Sequence, residues 1–243
     1  MKDYKEKLKM RILHGAMGVL ASVAMLVILL ITSVEIGAYS DFGWYEKEYN
    51  KYGVLDDLEM DISDVMYVTE EMMAYLRGNR KNLVVDTVVD GKEREFFNER
   101  EKAHMVDVKN LFVGGLWLRR GAILVLGVIF VVLFATKADW KRLLPKSFLI
   151  GMGSFIGVTL GAGLLFMSDF NKYFTIFHEI FFTNDLWLLD PDTDLLIRML
   201  PEGFFLDMVL RIGYIFVSLM AVLLFISVLG LRRDKIRKTN KSL

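Results

Sequence analysis

Residues 15–34 read GAMGVLASVAMLVILLITSV, twenty positions without a charged side chain. A helix needs about 20 predominantly apolar residues to cross a bilayer. Three more stretches lie further along: GAILVLGVIFVVLFAT (121–136), SFLIGMGSFIGVTLGAGLLFM (147–167) and IGYIFVSLMAVLLFISVLGL (212–231). The first of these is short, but LFVGGLW (111–117) precedes it and can lengthen it. One such run can be a buried helix of a soluble domain, whereas four describe a membrane topology. The stretch at 15–34 follows a basic segment and precedes AYS (38–40), as a signal peptide would. Its apolar run exceeds the ~7–15 residues of a signal core, so it is read as a span.

The remainder of the composition agrees. The chain has 243 residues, with 30 Lys+Arg against 30 Asp+Glu, which disfavours a nucleic-acid binder. Its 54% hydrophobic content excludes disorder. The absence of cysteine excludes disulfides, thiolate metal sites and a Cys nucleophile. Basic residues predominate at the N-terminus (five Lys/Arg and two acids in 1–14), in KADWKRLLPK (137–146) and after residue 231. Acidic residues predominate in 38–118 (17 against ten basic) and in 168–208 (eight against two). Four spans place the three basic segments on one side, which the positive-inside rule makes cytoplasmic. The expected fold is therefore a membrane, all-α transmembrane bundle of four helices with a small α+β extracellular cap. The spans are expected at 15–36, 118–136, 147–167 and 209–231. A cap at 38–117, a cytoplasmic loop at 137–146, an extracellular loop at 168–208 and a cytoplasmic tail at 232–243 fill the rest.

Within the cap, DISDVMYVTEEMMAYLRGN (61–79) carries Val65, Val68, Met72, Met73 and Leu76 at helical spacing, predicting an amphipathic helix over 61–77. Asp61 and Asp64 suit its start, and Gly78-Asn79 its end. LVVDTVV, Asp90-Gly91 and KEREFF predict a hairpin over 83–97. A helix over 98–110 starts near Asn98 and runs into the second span. In the outer loop, Pro191 and Pro201 divide an aromatic-rich segment into short helical pieces.

Three histidines are the candidate acid–base groups. His14 sits among basic residues at the inner end of the first span and reads as an interfacial side chain. His104, in EKAHMVDVK, and His178, in FHEIFF, fall just outside the second and third spans at one expected depth. They are either hydrogen-bonded interfacial side chains or a catalytic pair. Glu101 and Asp107 flank His104 at i−3 and i+3 and are candidates to orient its ring. Glu35, Arg119, Arg120 and Arg211 gather at the outer boundary, either snorkelling and pairing or lining a headgroup pocket. Trp117, Phe181, Phe182 and Trp187 belong to an aromatic belt or to the wall of an acyl pocket. Asn184, Arg119 and Arg120 are candidate oxyanion donors by location. Five glycines from Gly151 to Gly163 give small-residue spacing suited to close helix packing. No ligand spacing for a metal, no nucleophile elbow, no P-loop and no dinucleotide fingerprint is present, so no cofactor is expected.

Four spans, a cap after the first, the EKAHMVDVK stretch and FHEIFFTNDLWLLDPDTDLLIRMLPEGFF together resemble the lipoprotein intramolecular transacylases (Lit) of Gram-positive bacteria. The resemblance extends over essentially the whole chain. It implies an enzyme that moves the sn-2 acyl chain of a diacylglyceryl lipoprotein onto the α-amine of its N-terminal cysteine, leaving a lyso-form lipoprotein. Its partners would be that lipoprotein and membrane lipid. The family's two catalytic histidines map to His104 and His178. Substrate contacts are then expected from Glu101, Asp107, Trp117, Arg119, Arg120, Phe181, Phe182, Asn184 and Trp187. From the residues alone, a lipid hydrolase with the same histidines and a non-catalytic membrane protein remain alternatives.

Overall fold

The structure, a computed structural model, describes residues 2–239. In chain order the elements are α1 (Lys2–Tyr39), α2 (Gly43–Lys51), α3 (Val54–Leu58), α4 (Ile62–Leu76), β1 (Asp86–Val89), β2 (Lys92–Glu95), α5 (Glu99–Ala135), α6 (Trp140–Ser168), α7 (Phe170–Phe181), α8 (Leu195–Met199) and α9 (Glu202–Thr239). Four of these helices are long and apolar enough to cross a membrane. The fold is mostly helical, with one small two-stranded sheet. The chain divides into two compact units.

The first unit contains α1 up to Val34, Trp117–Ala162 and α9 from Gly213. Its interior is narrow: Ala21, Ile129, Leu133, Phe148, Met152, Phe216 and Met220. Most other apolar side chains point outward, with Leu124 69% and Ile150 74% exposed. A stable arrangement with such a surface requires an apolar solvent. Small residues bring α1 and α6 close together. A Cβ built on Gly151 would lie 2.9 Å from Ser22 Cβ, and one on Gly18 would fall onto the Ser147 hydroxyl. That is the packing mode of helices in lipid, where dispersion replaces the hydrophobic effect.

Several helices extend beyond the expected spans: α1 runs Lys2–Tyr39 rather than 15–36, and α9 continues to Thr239 rather than 231. Helix α5 starts beside Asn98 and runs unbroken through the second span. Gly114 and Gly115 each cost about 1 kcal/mol relative to alanine but do not remove a backbone donor, so the helix continues through them. The loop expected over 137–146 is mostly helical, because α6 starts at Trp140. Pro145 lies inside it near the start, where the loss of one backbone bond is tolerated. The last helix starts at Glu202 rather than 209, directly after Pro201.

The second unit comprises Glu35–Leu116 and Gly163–Ile212. Its core gathers Tyr45, Tyr49, Val65, Val68, Met72, Leu83, Phe96, Phe97, Met105, Met199 and Phe204, among others. Helix α4 supplies Val65, Val68, Met72, Met73 and Leu76 from one face. The hairpin pairs Asp86 with Glu95 and Val89 with Lys92. Asp90 (φ 52°) and Gly91 (φ 67°) both adopt left-handed backbone, as a two-residue turn of matching twist requires. Helices α2 and α3, for which the sequence carried no expectation, are fixed by tertiary contacts. The Tyr49 hydroxyl shares a 2.7 Å hydrogen bond with Thr69 Oγ1, and Tyr45 donates to the Ala38 carbonyl at 2.9 Å.

Candidate active site

Helix α5 opens with a reciprocal cap. The Glu101 amide donates to Asn98 Oδ1 (2.9 Å), and the Asn98 amide donates to Glu101 Oε2 (2.7 Å). This capping box satisfies two of the donors that a helix start leaves orphaned. One turn later, His104 faces the interior of the second unit and is 7% exposed. Helix α7 opens with its own cap, Asp169 Oδ1 accepting from the Lys172 amide at 3.1 Å. Two turns on, it buries His178, which is 6% exposed. The imidazole centroids are 6.1 Å apart, with the rings inclined by 34°.

Aromatic rings enclose this pair. His178 stacks on Trp187 (4.8 Å, 28°) and touches Phe174 (4.1 Å), Phe177 (5.3 Å) and Phe182 (5.4 Å). Phe182 meets His104 edge-on at 5.5 Å. Phe181 packs on Phe177 at 4.8 Å and is half-exposed.

The two rings differ in hydrogen bonding. His178 Nδ1 lies 2.7 Å from the Phe174 carbonyl. A carbonyl only accepts, so Nδ1 carries the hydrogen and Nε2 of the neutral ring offers a lone pair. His104 Nδ1 is buried without a partner. An unpaired buried N–H costs more than an unpaired ring lone pair, which favours the tautomer with hydrogen on Nε2. Burial, with His178 and Arg100 adding to it and Asp107 opposing, pulls the His104 pKa down to about 4. Burial also lowers that of His178, partly offset by its bond to Phe174. His104 lies well before the apolar run that starts at residue 121. Both imidazoles are therefore neutral at pH 7, one presenting a base and the other a donor.

The flanking carboxylates take partners other than the rings. Glu101 is fully buried, and its Oε1 accepts the Leu196 amide at 2.6 Å, so both of its oxygens are occupied by backbone N–H groups. Asp107 Oδ2 accepts from Asn184 Nδ2 at 2.8 Å, which also commits the Asn184 amide. Neither carboxylate hydrogen-bonds to His104, contrary to the expectation that one would orient its ring.

Trp117, Arg119 and Arg120 fall in the first unit. Arg119 Nη1 donates to Thr32 Oγ1 at 3.4 Å, and the Arg120 guanidinium lies 4.7 Å from the Trp117 ring. Glu35 pairs with Arg77 at 2.6 Å, a partner not expected from the sequence. Arg211 stacks on Trp44 and lies 4.0 Å from Asp41. His14 Nε2 contacts Thr136 Oγ1 at 3.1 Å. Among the described residues, no group of three or more His, Asp or Glu side chains is arranged to hold a metal. Two features escaped the sequence reading: the Phe174 carbonyl that orients His178, and the Asn98/Asp194 pair beside Glu101. The Asn98-x-x-Glu101 spacing is a legible capping signal; the backbone carbonyl has no sequence signature.

A family model described as lipoprotein intramolecular transacylase Lit matches residues 19–205. Among solved structures, an in meso structure of the membrane integral lipoprotein intramolecular transacylase Lit from Bacillus cereus aligns with a TM-score of 0.73. Identity is 18%, over 92% of this chain and 98% of that one. A form of the same protein with a histidine-to-arginine substitution gives 0.72 at 17% identity, over 96% of this chain and 99% of that one. At this identity the likeness establishes the fold. A search of curated proteins finds no match.

Proposed function

Because the chain belongs to the lipoprotein intramolecular transacylase (Lit) family, whose members are acyltransferases, we propose that its histidine pair performs the transfer itself. The substrate is a diacylglyceryl lipoprotein with a free N-terminal cysteine. Its sn-2 acyl group moves to the cysteine α-amine, giving the lyso-form. The observation that carries this reading is the pair of buried imidazoles, with ring centroids 6.1 Å apart, of which His178 is oriented by the Phe174 carbonyl.

The steps follow from these two rings. An α-amine has a pKa of ~7.7–8.0, so a substantial fraction is neutral at pH 7 and attacks the ester carbonyl directly. His178 Nε2 takes the proton that the amine loses on attack. The carbonyl oxygen becomes an oxyanion and accepts a hydrogen bond from the Nε2–H of His104, which keeps its proton. A neutral imidazole is a competent donor for such an oxyanion. As the tetrahedral species collapses, the C–O bond to the glyceryl group breaks. The leaving 2-alkoxide takes the proton held by His178. One C–N bond has formed, one C–O bond has broken, and both rings return to their starting tautomers. No acyl-enzyme is required, because donor and acceptor belong to one molecule and the enzyme's main task is to hold them together. The surrounding Phe174, Phe177, Phe182 and Trp187 rings exclude water, which limits hydrolysis.

The charge asymmetry supports an orientation in a bacterial plasma membrane with both termini cytoplasmic and the histidine unit outside, where mature lipoproteins reside.

The test incubates purified protein with a synthetic diacylglyceryl lipopeptide and fragments the product by tandem mass spectrometry. Transfer is an isomerisation, so an N-acyl fragment at unchanged parent mass is expected. Loss of one acyl chain from the parent would instead mark a hydrolase, and an unaltered lipopeptide a non-catalytic protein.

A further inference from the structure

The polar cluster at the start of α5 makes contacts that the chemistry above does not use. Glu101 is fully buried one turn before His104, and it caps two helices at once. Its Oε2 takes the amide of Asn98, the residue just before α5, and its Oε1 takes the Leu196 amide of α8. Asn98 extends the cluster, donating its side-chain amide to Asp194 Oδ1 at 2.6 Å. Asp194, also buried, accepts the Thr193 hydroxyl on Oδ1 (3.1 Å) and the Asp190 amide on Oδ2 (2.7 Å). The segment closed by these bonds runs from the end of α7 to the start of α8. It carries Phe182 and Trp187, the rings that cover the two imidazoles. At its other end, Arg100 Nη2 reaches the Asp185 carbonyl at 2.5 Å and Asn184 reaches Asp107.

We infer that Glu101, with Asn98 and Asp194, is a positioning clamp that fastens the Phe182–Trp187 segment to the His104 helix and so holds both imidazoles dry and at working distance. Glu101 therefore does not bind substrate, because both of its oxygens already serve backbone N–H groups inside the fold. A carboxylate suits this task better than an amide: it accepts at both oxygens, whereas glutamine would turn an N–H donor towards one of the two backbone donors. Asp194 accepts three bonds for the same reason.

The inference rests on the transacylase reading for its kinetic consequence but not for its physical one, so the two are tested separately. Diethylpyrocarbonate at pH 7 acylates accessible neutral imidazoles, and peptide mass spectrometry reads each histidine independently. His14 serves as the internal reference. In Glu101→Gln, His104 and His178 are expected to react at least about tenfold faster relative to His14, the local opening that follows loss of one hydrogen bond to a charged group. Asp194→Asn, a near-isosteric change, is expected to do the same and covers the case in which Glu101→Gln folds poorly. Glu99→Gln, at an exposed carboxylate on the same helix, is expected to leave both rates unchanged.

Transfer kinetics supply the second readout. The charged or titratable groups facing the pair are Asp107 and Arg100 for His104, and each imidazole for the other. Water admitted by a loosened clamp weakens the desolvation of both rings, so the acidic limb of the pH–rate profile moves to higher pH. Simple loss of folded protein would scale the rate equally at every pH. Wild-type protection and a wild-type pH profile in both Glu101→Gln and Asp194→Asn would overturn the clamp. Loss of protection in the variants, from a wild-type protein that transfers nothing, would uphold the clamp while removing the transacylase reading.

Discussion

His104 and His178 are separated by most of α5, all of α6 and most of α7, yet their rings lie 6.1 Å apart in one unit. His104→Ala and His178→Ala are each expected to lower transfer by at least ~100-fold, the usual scale of general acid–base or oxyanion assistance. Near-wild-type N-acyl product from either variant would reject the paired mechanism. The same burial has a consequence for stability. In the unfolded chain an imidazole binds a proton near pH 6.5; folded His104 does so only near pH 4. Between those values the unfolded state holds more protons, so acid favours unfolding. The contribution is intact above pH 6.5 and declines as pH falls towards 4, by on the order of 3 kcal/mol at the limit. His178 adds a loss of the same sign. Thermal unfolding in detergent between pH 7 and pH 4.5 should show a falling Tm, with a shallower slope in His104→Gln. An unchanged slope would mean that His104 is not desolvated. The sequence offered the two histidines as candidates. It could not offer the orientation of the His178 ring, because that depends on the Phe174 carbonyl.

At the level of elements, what the sequence shows depends on how local the cause is. The α4 stripe and the Asp90-Gly91 turn rest on residues within a few positions of one another, and both are found as helix and hairpin. Helices α2 and α3 were not legible, because Tyr45 and Tyr49 are buried by partners distant in sequence. The α1–α6 contact gives a direct test. Gly151→Val places branched carbon against Ser22, where a Cβ alone already meets it at 2.9 Å. Overpacking of this kind costs ~1–3 kcal/mol. A lowered Tm in detergent is expected, with partial recovery on adding Ser22→Gly; a Tm unchanged in the single variant would show that α1 and α6 separate without penalty.

Across the whole molecule, the alternation of basic and acidic segments predicts the orientation. The chain has no cysteine, so single introduced thiols report without background. Lys81→Cys in the histidine unit should react with a membrane-impermeant maleimide on intact cells. Asp139→Cys, between α5 and α6, should react only after lysis. The reverse pattern would invert the topology and move the proposed chemistry to the cytoplasmic side. Either result leaves the fold untouched, because four membrane-length helices follow from length and hydropathy alone.

Among the described residues, the four membrane-length helices and the small hairpin were already legible in the linear sequence. Those properties depend on contiguous apolar length and on short-range periodicity, which a linear string records directly. The shared aromatic enclosure of His104 and His178, and the two backbone amides that Glu101 faces, emerge only when the chain packs. Proximity between distant residues, and the burial that shifts a pKa, belong to the packed chain and have no local signature in its sequence.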